Sequence, residues 1–181
     1  VAINRRAAGG LMIKGAYTYS KAINMADDDG WVGLSFNYEP HIRRNRAQAG
    51  HNIPHIFQLG YVYELPFGKG KKYAGSGPAR LLLCDWHVNG MTALYQGRPF
   101  TMGASGAALN APGNSQTADL VAPGKVKVLG EIGANKSWFD PLAFRQPIEV
   151  RFGTTGRNTM FGPGLTNLDL SLFRNFKITE K

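Results

Sequence analysis

The sequence is poor in cysteine, with Cys84 as the single thiol among 181 residues. One thiol excludes an internal disulfide, and without a C-x-x-C pair the chain lacks the common metal-binding and redox motifs. His87 follows three residues later, but residues an odd number apart on a strand point to opposite faces. We therefore predict a packed or surface thiol at Cys84, not a nucleophile.

Long apolar runs are also missing. No stretch approaches the 18 consecutive apolar residues that identify a membrane-spanning helix. The N-terminus shows no charged and then apolar signal peptide with a cleavage site. These observations do not exclude a membrane β-barrel, whose strands carry a much weaker sequence signal.

Acidic residues are scarce: 12 stand against 21 basic residues, for a net charge of +9. The simplest interpretation is a solvated basic surface, and the next is a negatively charged partner such as lipopolysaccharide, nucleic acid or an acidic ligand. The chain has no RNP motif and no zinc-finger spacing, so we expect no specific nucleic-acid partner.

Catalytic motifs are absent as well. The glycine and serine residues around Ser105 do not have the G-x-S-x-G spacing of a serine hydrolase. His51 and His55 are four residues apart, but Pro54 opposes the helix that would bring them together. The other histidines, His41 and His87, form no metal-binding pattern. The sequence therefore favours a non-catalytic role.

One acidic group is a weak candidate for a metal site. Asp27, Asp28 and Asp29 precede Gly30, which is a composition typical of calcium loops. The EF-hand pattern fails, because its first and twelfth positions would be Met25 and Phe36. A looser calcium loop stays open beside a solvated acidic loop, and no other cofactor is expected.

What the sequence does contain is long alternation of apolar and polar residues. Four segments alternate over about ten residues, namely Gly10 to Ser20, His55 to Leu65, Trp86 to Tyr95 and Asn167 to Ile178. Strands of soluble sheets usually have five or six residues, whereas a strand that crosses a bilayer obliquely needs about 9 to 11. Weaker patterns indicate short strands at Trp31 to Phe36 and Lys125 to Leu129, and a short helix or apolar loop at Ala79 to Leu83.

The second segment illustrates the alternation. We expect its apolar face to contact lipid and its polar residues Gln58 and Glu64 to line the lumen, with residues 66–72 forming a turn. The residues of the apolar face are Phe57, Leu59, Tyr61, Tyr63 and Leu65.

Together these patterns predict an all-β fold: antiparallel strands of an outer-membrane-type β-barrel, present in part, with long loops at residues 21–54 and 97–137. Aromatic residues near the strand ends agree with the girdles of such barrels. Residues 1–181 are interpreted as a single β-rich unit. The alternative fold is a soluble β-sandwich or small barrel.

Five blocks resemble one family when taken in order. They are AYTYSKAINMADD at 16–28, HIFQLGYVYELPFGKGKKY at 55–73, WHVNGMTALYQGRPFTM at 86–102, WFDPLAFRQP at 138–147 and GRNTMFGPGLTNLDLSLFRNFKITEK at 156–181. The blocks resemble TonB-dependent outer-membrane receptors, in particular the Oar-like receptors of acidobacteria that carry a carboxypeptidase-regulatory-like domain. The resemblance covers nearly the whole chain and corresponds to a late part of the barrel.

The resemblance implies a 22-stranded barrel with a plug domain, which takes up a bulky substrate with energy from TonB. The sequence shows no counterpart of the family's plug domain, TonB box or final strands. We therefore expect the chain to be a fragment of a larger barrel domain. The implied location of the parent is the bacterial outer membrane, with membrane lipid, lipopolysaccharide and the TonB system as partners.

Two other functions stay open. One is a free-standing soluble β-rich hydrolase of esters or lactones, which could depend on calcium and would use Asp27 to Asp29, Ser105 or the histidines. The other is a basic module that binds acidic ligands.

Overall fold

The computed structural model describes residues 1–6, 9–27, 33–67, 71–73, 83–121, 124 and 126–176. Its strands are β1 (Ala2–Arg6), β2 (Leu11–Tyr19), β3 (Ile23–Asn24), β4 (Ala47–Gln48), β5 (His55–Glu64), β6 (Trp86–Tyr95), β7 (Pro99–Phe100), β8 (Asp119–Leu120), β9 (Phe144–Arg145), β10 (Met160–Phe161) and β11 (Leu165–Arg174). Two 3-10 helices span Glu39–Asn45 and Pro141–Ala143. No helix in these ranges is both long and apolar enough to span a membrane.

The chain divides into two compact units. The first comprises Val1–Tyr19, His55–Tyr95 and Leu165–Lys181, and the second comprises Ser20–Pro54 and Gln96–Gly164. The first unit is one antiparallel sheet in the order β1-β2-β5-β6-β11. Its strands pair along nearly their full length, with Leu11 opposite Tyr63, Tyr61 opposite Gly90 and Leu165 opposite Tyr95.

The second unit is built from short ladders and irregular chain. Two-residue strands pair as β3 with β4, β7 with β10 and β8 with β9. Its apolar interior is small, and the most deeply buried large side chain is Phe36, which packs edge-on against Phe152 at 5.2 Å between ring centroids. Polar side chains are buried with it, including Asn45, Asn52, Gln116 and Arg157.

The predicted all-β antiparallel fold is confirmed, and the four long strands lie where the alternation placed them. Trp86–Tyr95 matches its predicted bounds, while β2 and β5 each end within a residue of theirs. The last strand is shifted to Leu165–Arg174, and Ile178 lies outside the described residues. Ala2–Arg6 pairs with β2 although no strand was predicted there.

The predicted short elements agree less well with the structure. Residues 33–36 form no strand, because the Asn45 side chain takes both backbone groups of Phe36: its Oδ1 accepts from the amide at 3.0 Å and its Nδ2 donates to the carbonyl at 2.9 Å. Residues 31–32 lie outside the described ranges. Within 126–129 only an isolated bridge forms, between Val128 and Phe139. Residues 79–82 are outside the described residues too.

Close backbone packing in the second unit gives a first testable prediction. A Cβ built on Gly153 would lie 1.9 Å from the Thr117 carbonyl oxygen, whereas one on Gly106 has no heavy atom within 4 Å. Gly153→Ala should therefore lower the free energy of unfolding by about 1–3 kcal/mol, since backbone must move to admit the methyl group. Gly106→Ala is the matched control and should be close to neutral. Thermal unfolding followed by tryptophan fluorescence measures both, and equal midpoints for the two variants would contradict the packing described.

Candidate functional site

The strand register gives four strands of the sheet, β2, β5, β6 and β11, one apolar face. Residues directly opposite each other in an antiparallel pair share a face, so the register joins the alternating residues of these strands into rows, and β1 adds Ile3 and the charged Arg5 at the edge of the same face. Three such rows are Gly15–Leu59–Thr92–Leu168, Ile13–Tyr61–Gly90–Leu170 and Leu11–Tyr63–Val88–Leu172. The last leucine of each row is 59–67% exposed. Apolar side chains that are exposed to this extent in adjacent rows indicate a face that contacts another apolar environment.

The opposite face is mixed, with polar and apolar residues in about equal number. Its rows are Ala16–Gln58–Ala93–Asn167, Lys14–Gly60–Met91–Asp169 and Met12–Val62–Asn89–Ser171. Gln58 donates through Nε2 to the Tyr95 hydroxyl at 3.0 Å on this face. Outward apolar and inward polar residues alternate in the same way along the strands of outer-membrane barrels.

Glycines on the apolar face are covered by neighbouring side chains. The ring of Tyr61 lies over Gly90, where an added Cβ would come within 2.4 Å of the ring carbon Cζ. Leu59 covers Gly15 in the same manner, with Cδ1 3.3 Å from the added Cβ position. A large side chain above each glycine keeps the apolar surface continuous and protects the backbone ladder beneath it.

The length of the strands decides which apolar phase the sheet fits. Ten residues at about 3.4 Å each extend about 34 Å along β5. A tilt of about 40°, usual in these barrels, projects this length to about 26 Å. The apolar band of an outer-membrane barrel is about 25 Å tall, so the strands match a membrane crossing and exceed what a soluble sheet requires.

Aromatic and basic groups mark the two ends of the sheet. At one end the Tyr17 hydroxyl lies 2.6 Å from His55 Nδ1, and the Tyr19 ring packs on the same imidazole. At the other end the Arg174 guanidinium lies 5.8 Å from the Trp86 ring centroid and 4.7 Å from that of Phe176. Amphipathic rings at both ends are the arrangement found at membrane–water interfaces.

The connections between strands are unequal. Residues 20–54 and 96–164 both leave the sheet at the Tyr19–Tyr95 end, whereas β1–β2 and β5–β6 are joined at the other end by shorter segments. At that second end Lys71 Nζ pairs with Glu64 Oε2 at 2.8 Å. Outer-membrane barrels have short periplasmic turns and long extracellular loops, so the unequal connections predict that the Tyr19–Tyr95 end is the extracellular one.

The second unit is held by an ion pair that sequence reasoning missed. Arg157 is buried, and its guanidinium donates from Nη1 to Asp27 Oδ2 at 2.6 Å and from Nε to the Asn45 carbonyl at 2.8 Å. Its Nη2 donates to the carbonyl and the side chain of Asn24. Asn158 Nδ2 donates to the same oxygen of Asp27. The network joins residues more than 100 positions apart, so no local spacing could reveal it.

Asp27 therefore has a defined environment. Its Oδ1 accepts from the Gly50 amide at 2.6 Å and from Asn24 Nδ2 at 2.8 Å, so both oxygens carry donors. Burial opposes ionisation, but the hydrogen bonds from Gly50, Asn24 and Asn158 and the charge of Arg157 together lower the pKa of Asp27. The other two calcium candidates, Asp28 and Asp29, lie outside the described residues. In the described ranges no three acidic, histidine or cysteine side chains form a metal-binding group, and the calcium site stays a prediction.

The remaining candidate residues are not assembled into a catalytic group. The Ser105 hydroxyl accepts from the Ala107 amide at 3.3 Å, and the described residues place no histidine or carboxylate in hydrogen-bond contact with it. His41 packs edge-on against Phe152, and the thiol of Cys84 is buried. These residues contribute packing in the described part of the chain.

A second ion pair is centred on Asp119, whose side chain is only 3% exposed. Arg151 donates to both of its oxygens, at 2.8 and 2.7 Å, while Arg145 lies at 3.4 Å and the Thr154 amide donates at 3.1 Å. The hydrogen bonds from Arg151 are the main reason that the pKa of Asp119 falls to about 2. The pairing raises the pKa of Arg151 correspondingly.

Bilayer-length antiparallel strands, one apolar face, aromatic ends and unequal connections define the wall of an outer-membrane β-barrel. A family model described as an outer membrane beta barrel domain matches residues 1–181. The chain belongs to this family, and its location is accordingly the bacterial outer membrane. Searches of curated proteins and of solved structures found no match.

The apolar face leads to a prediction with an internal control. Leu170 lies near the middle of β11 on this face, and Ser171 is its neighbour on the polar face. Leu170→Arg should destabilise the protein in phospholipid vesicles by about 2–4 kcal/mol, because the arginine would enter the hydrocarbon. Ser171→Arg should cost much less. Urea unfolding of the vesicle-bound protein measures both, and equal losses would mean that the face assignment is wrong.

The Asp119 pair gives a pH prediction. Because its pKa is lower in the folded protein than the ordinary 3.8, the ionised carboxylate stabilises the fold above about pH 4, and this contribution is lost as the pH falls towards 2. The shift corresponds to about 2 kcal/mol. Asp119→Asn should remove this pH dependence, which hydrogen exchange at the Leu120 and Thr154 amides can follow between pH 5 and pH 2. An unchanged slope in Asp119→Asn would exclude this carboxylate as its origin.

Proposed function

We propose that this chain forms part of the barrel of a TonB-dependent outer-membrane receptor that takes up a bulky substrate without catalysing a reaction. The observation that carries the proposal is the position of the ordered blocks that resemble these receptors. The block at 16–28 includes the last four residues of β2, the blocks at 55–73 and 86–102 include all of β5 and β6, and the last block includes β10 and β11. The resemblance thus falls on the residues that build the membrane-crossing sheet.

The polar network of the second unit supports the same proposal. Asp27 comes from the first resembling block, whereas Arg157 and Asn158 come from the last. Two of the resembling blocks, which lie far apart in the sequence, therefore meet in one ion pair. A resemblance limited to a single local motif would not bring residues of the first and last blocks together.

The free edges of the sheet support a larger barrel. Among the described strands, β1 and β11 each have a single neighbour, so the sheet is open. Unpaired backbone amides and carbonyls are not tolerated in contact with hydrocarbon. In the membrane both edges must pair with further strands, and the wide barrel of a TonB-dependent receptor would supply them.

The polar face would then line the lumen along which the substrate passes. Lys14, Gln58, Asn89 and Asp169 on this face provide both donors and acceptors. A plug domain in the lumen and a TonB-binding segment would complete the transporter. The substrate is expected to be bulky, because smaller solutes cross narrower barrels without energy input.

The complete reading frame around this chain tests the proposal. We expect a plug domain with a TonB-binding segment encoded upstream of Val1 and further strands downstream of Lys181. Uptake by the complete protein should require TonB, so cells without TonB should accumulate no substrate. A complete frame lacking any plug would contradict the proposal.

The membrane part of the proposal can fail separately. The purified complete protein should require detergent and should migrate differently on a gel before and after heating, as folded barrels do. A monodisperse protein without detergent would favour a soluble β-rich module instead.

A further inference from the structure

An open cavity of about 430 Å³ in the second unit is lined by an unusual number of cations. Lys21, Arg44, Arg46 and Arg157 contribute to its wall, and among the described residues no acidic side chain does. Gln48 and Asn158 add polar groups to the same wall. Basic side chains that converge on one concave surface raise the local positive potential above that of isolated surface charges.

Arg44 is the fixed member of this group. Its Nη2 donates to the carbonyls of Gly153 and Thr155 at 2.7 and 3.1 Å, and its guanidinium lies 4.2 Å from the centroid of the Phe36 ring. Within the described ranges no carboxylate lies in salt-bridge distance of it. Burial lowers the pKa of Arg44, as expected for a half-buried cation without a counter-ion.

Lys21 and Arg46 are the adaptable members. Both side chains are exposed, and neither makes a side-chain hydrogen bond or ion pair with another described residue. Within the described part of the chain, their donors are therefore available to a ligand. Arg157 differs from them, because Asp27 already neutralises it. Three of the four cations thus line the cavity without a compensating charge from any residue that the structure describes.

We propose that this cavity binds an oxyanion, a phosphate or carboxylate group, with Lys21 and Arg46 as direct donors and Arg44 as a fixed positive charge. A guanidinium offers paired donors that match such groups, and an ammonium adds a mobile point charge. The site is independent of the proposed transport function. The anion could belong to a lipopolysaccharide headgroup or to a soluble ligand, since both present the same oxygens.

Titration calorimetry with inorganic pyrophosphate tests the site on the complete protein in an uncharged detergent, free of lipopolysaccharide and at low salt. The variant Lys21→Gln with Arg46→Gln should bind about tenfold more weakly than the wild type, because two charge-assisted contacts are lost. The fold should persist, as both side chains are exposed, and an unchanged thermal midpoint verifies this.

The matched control is Arg43→Gln with Lys136→Gln, which removes the same charge from exposed positions outside the cavity wall. It should change the affinity by no more than about twofold, through long-range screening alone. Equal losses in both variants, or no binding by the wild type, would overturn the proposal.

A second arm identifies the source of the anion. The protein is reconstituted in phosphatidylcholine vesicles with or without lipopolysaccharide, and pyrophosphate binding is measured in both. If the wild type binds pyrophosphate only in vesicles without lipopolysaccharide, and the double variant binds it weakly in both, the site belongs to the lipopolysaccharide headgroup. Equal binding in both vesicles assigns it to a soluble anion.

Discussion

The backbone hydrogen-bond ladder is the constraint on which the membrane-crossing unit depends. Hydrocarbon offers no partner to an amide or carbonyl, so each strand must be paired along its full length. The register that achieves this pairing also fixes which side chains meet lipid, because a slip of one residue would exchange the two faces. The row in which Tyr61 lies opposite Gly90, and Gly90 opposite Leu170, is therefore a direct result of the pairing.

Buried charge pairs play the corresponding part in the second unit. Its apolar interior is small, and Arg157 and Asp119 are each buried with a partner that satisfies them. Removing one partner of such a pair leaves an uncompensated charge, which costs more than the pair itself contributes. Each network therefore penalises any arrangement of the irregular chain that would separate its charges. Arg44 lacks such a partner among the described residues, which is why its cavity suits an external anion.

Sequence reasoning located the long strands because their signal is local. Alternation over ten residues and the aromatic ends are visible in His55 to Leu65 without any tertiary information. It missed Ala2–Arg6, which is short and carries two arginines, and which becomes a strand by pairing with β2. It also placed a strand over residues whose backbone partner is the Asn45 side chain, since a hydrogen bond across nine positions leaves no periodic trace.

The sequence by itself determined the class of this protein: all-β, with strands of bilayer length and one apolar face, because period and length are properties of contiguous residues. Only the tertiary structure decided which strands are neighbours, which glycines are covered, and which cations remain without a counter-ion. These features depend on residues up to 133 positions apart, such as Asn24 and Arg157. Contacts over that separation are fixed by the folded geometry of the chain, and no local spacing encodes them.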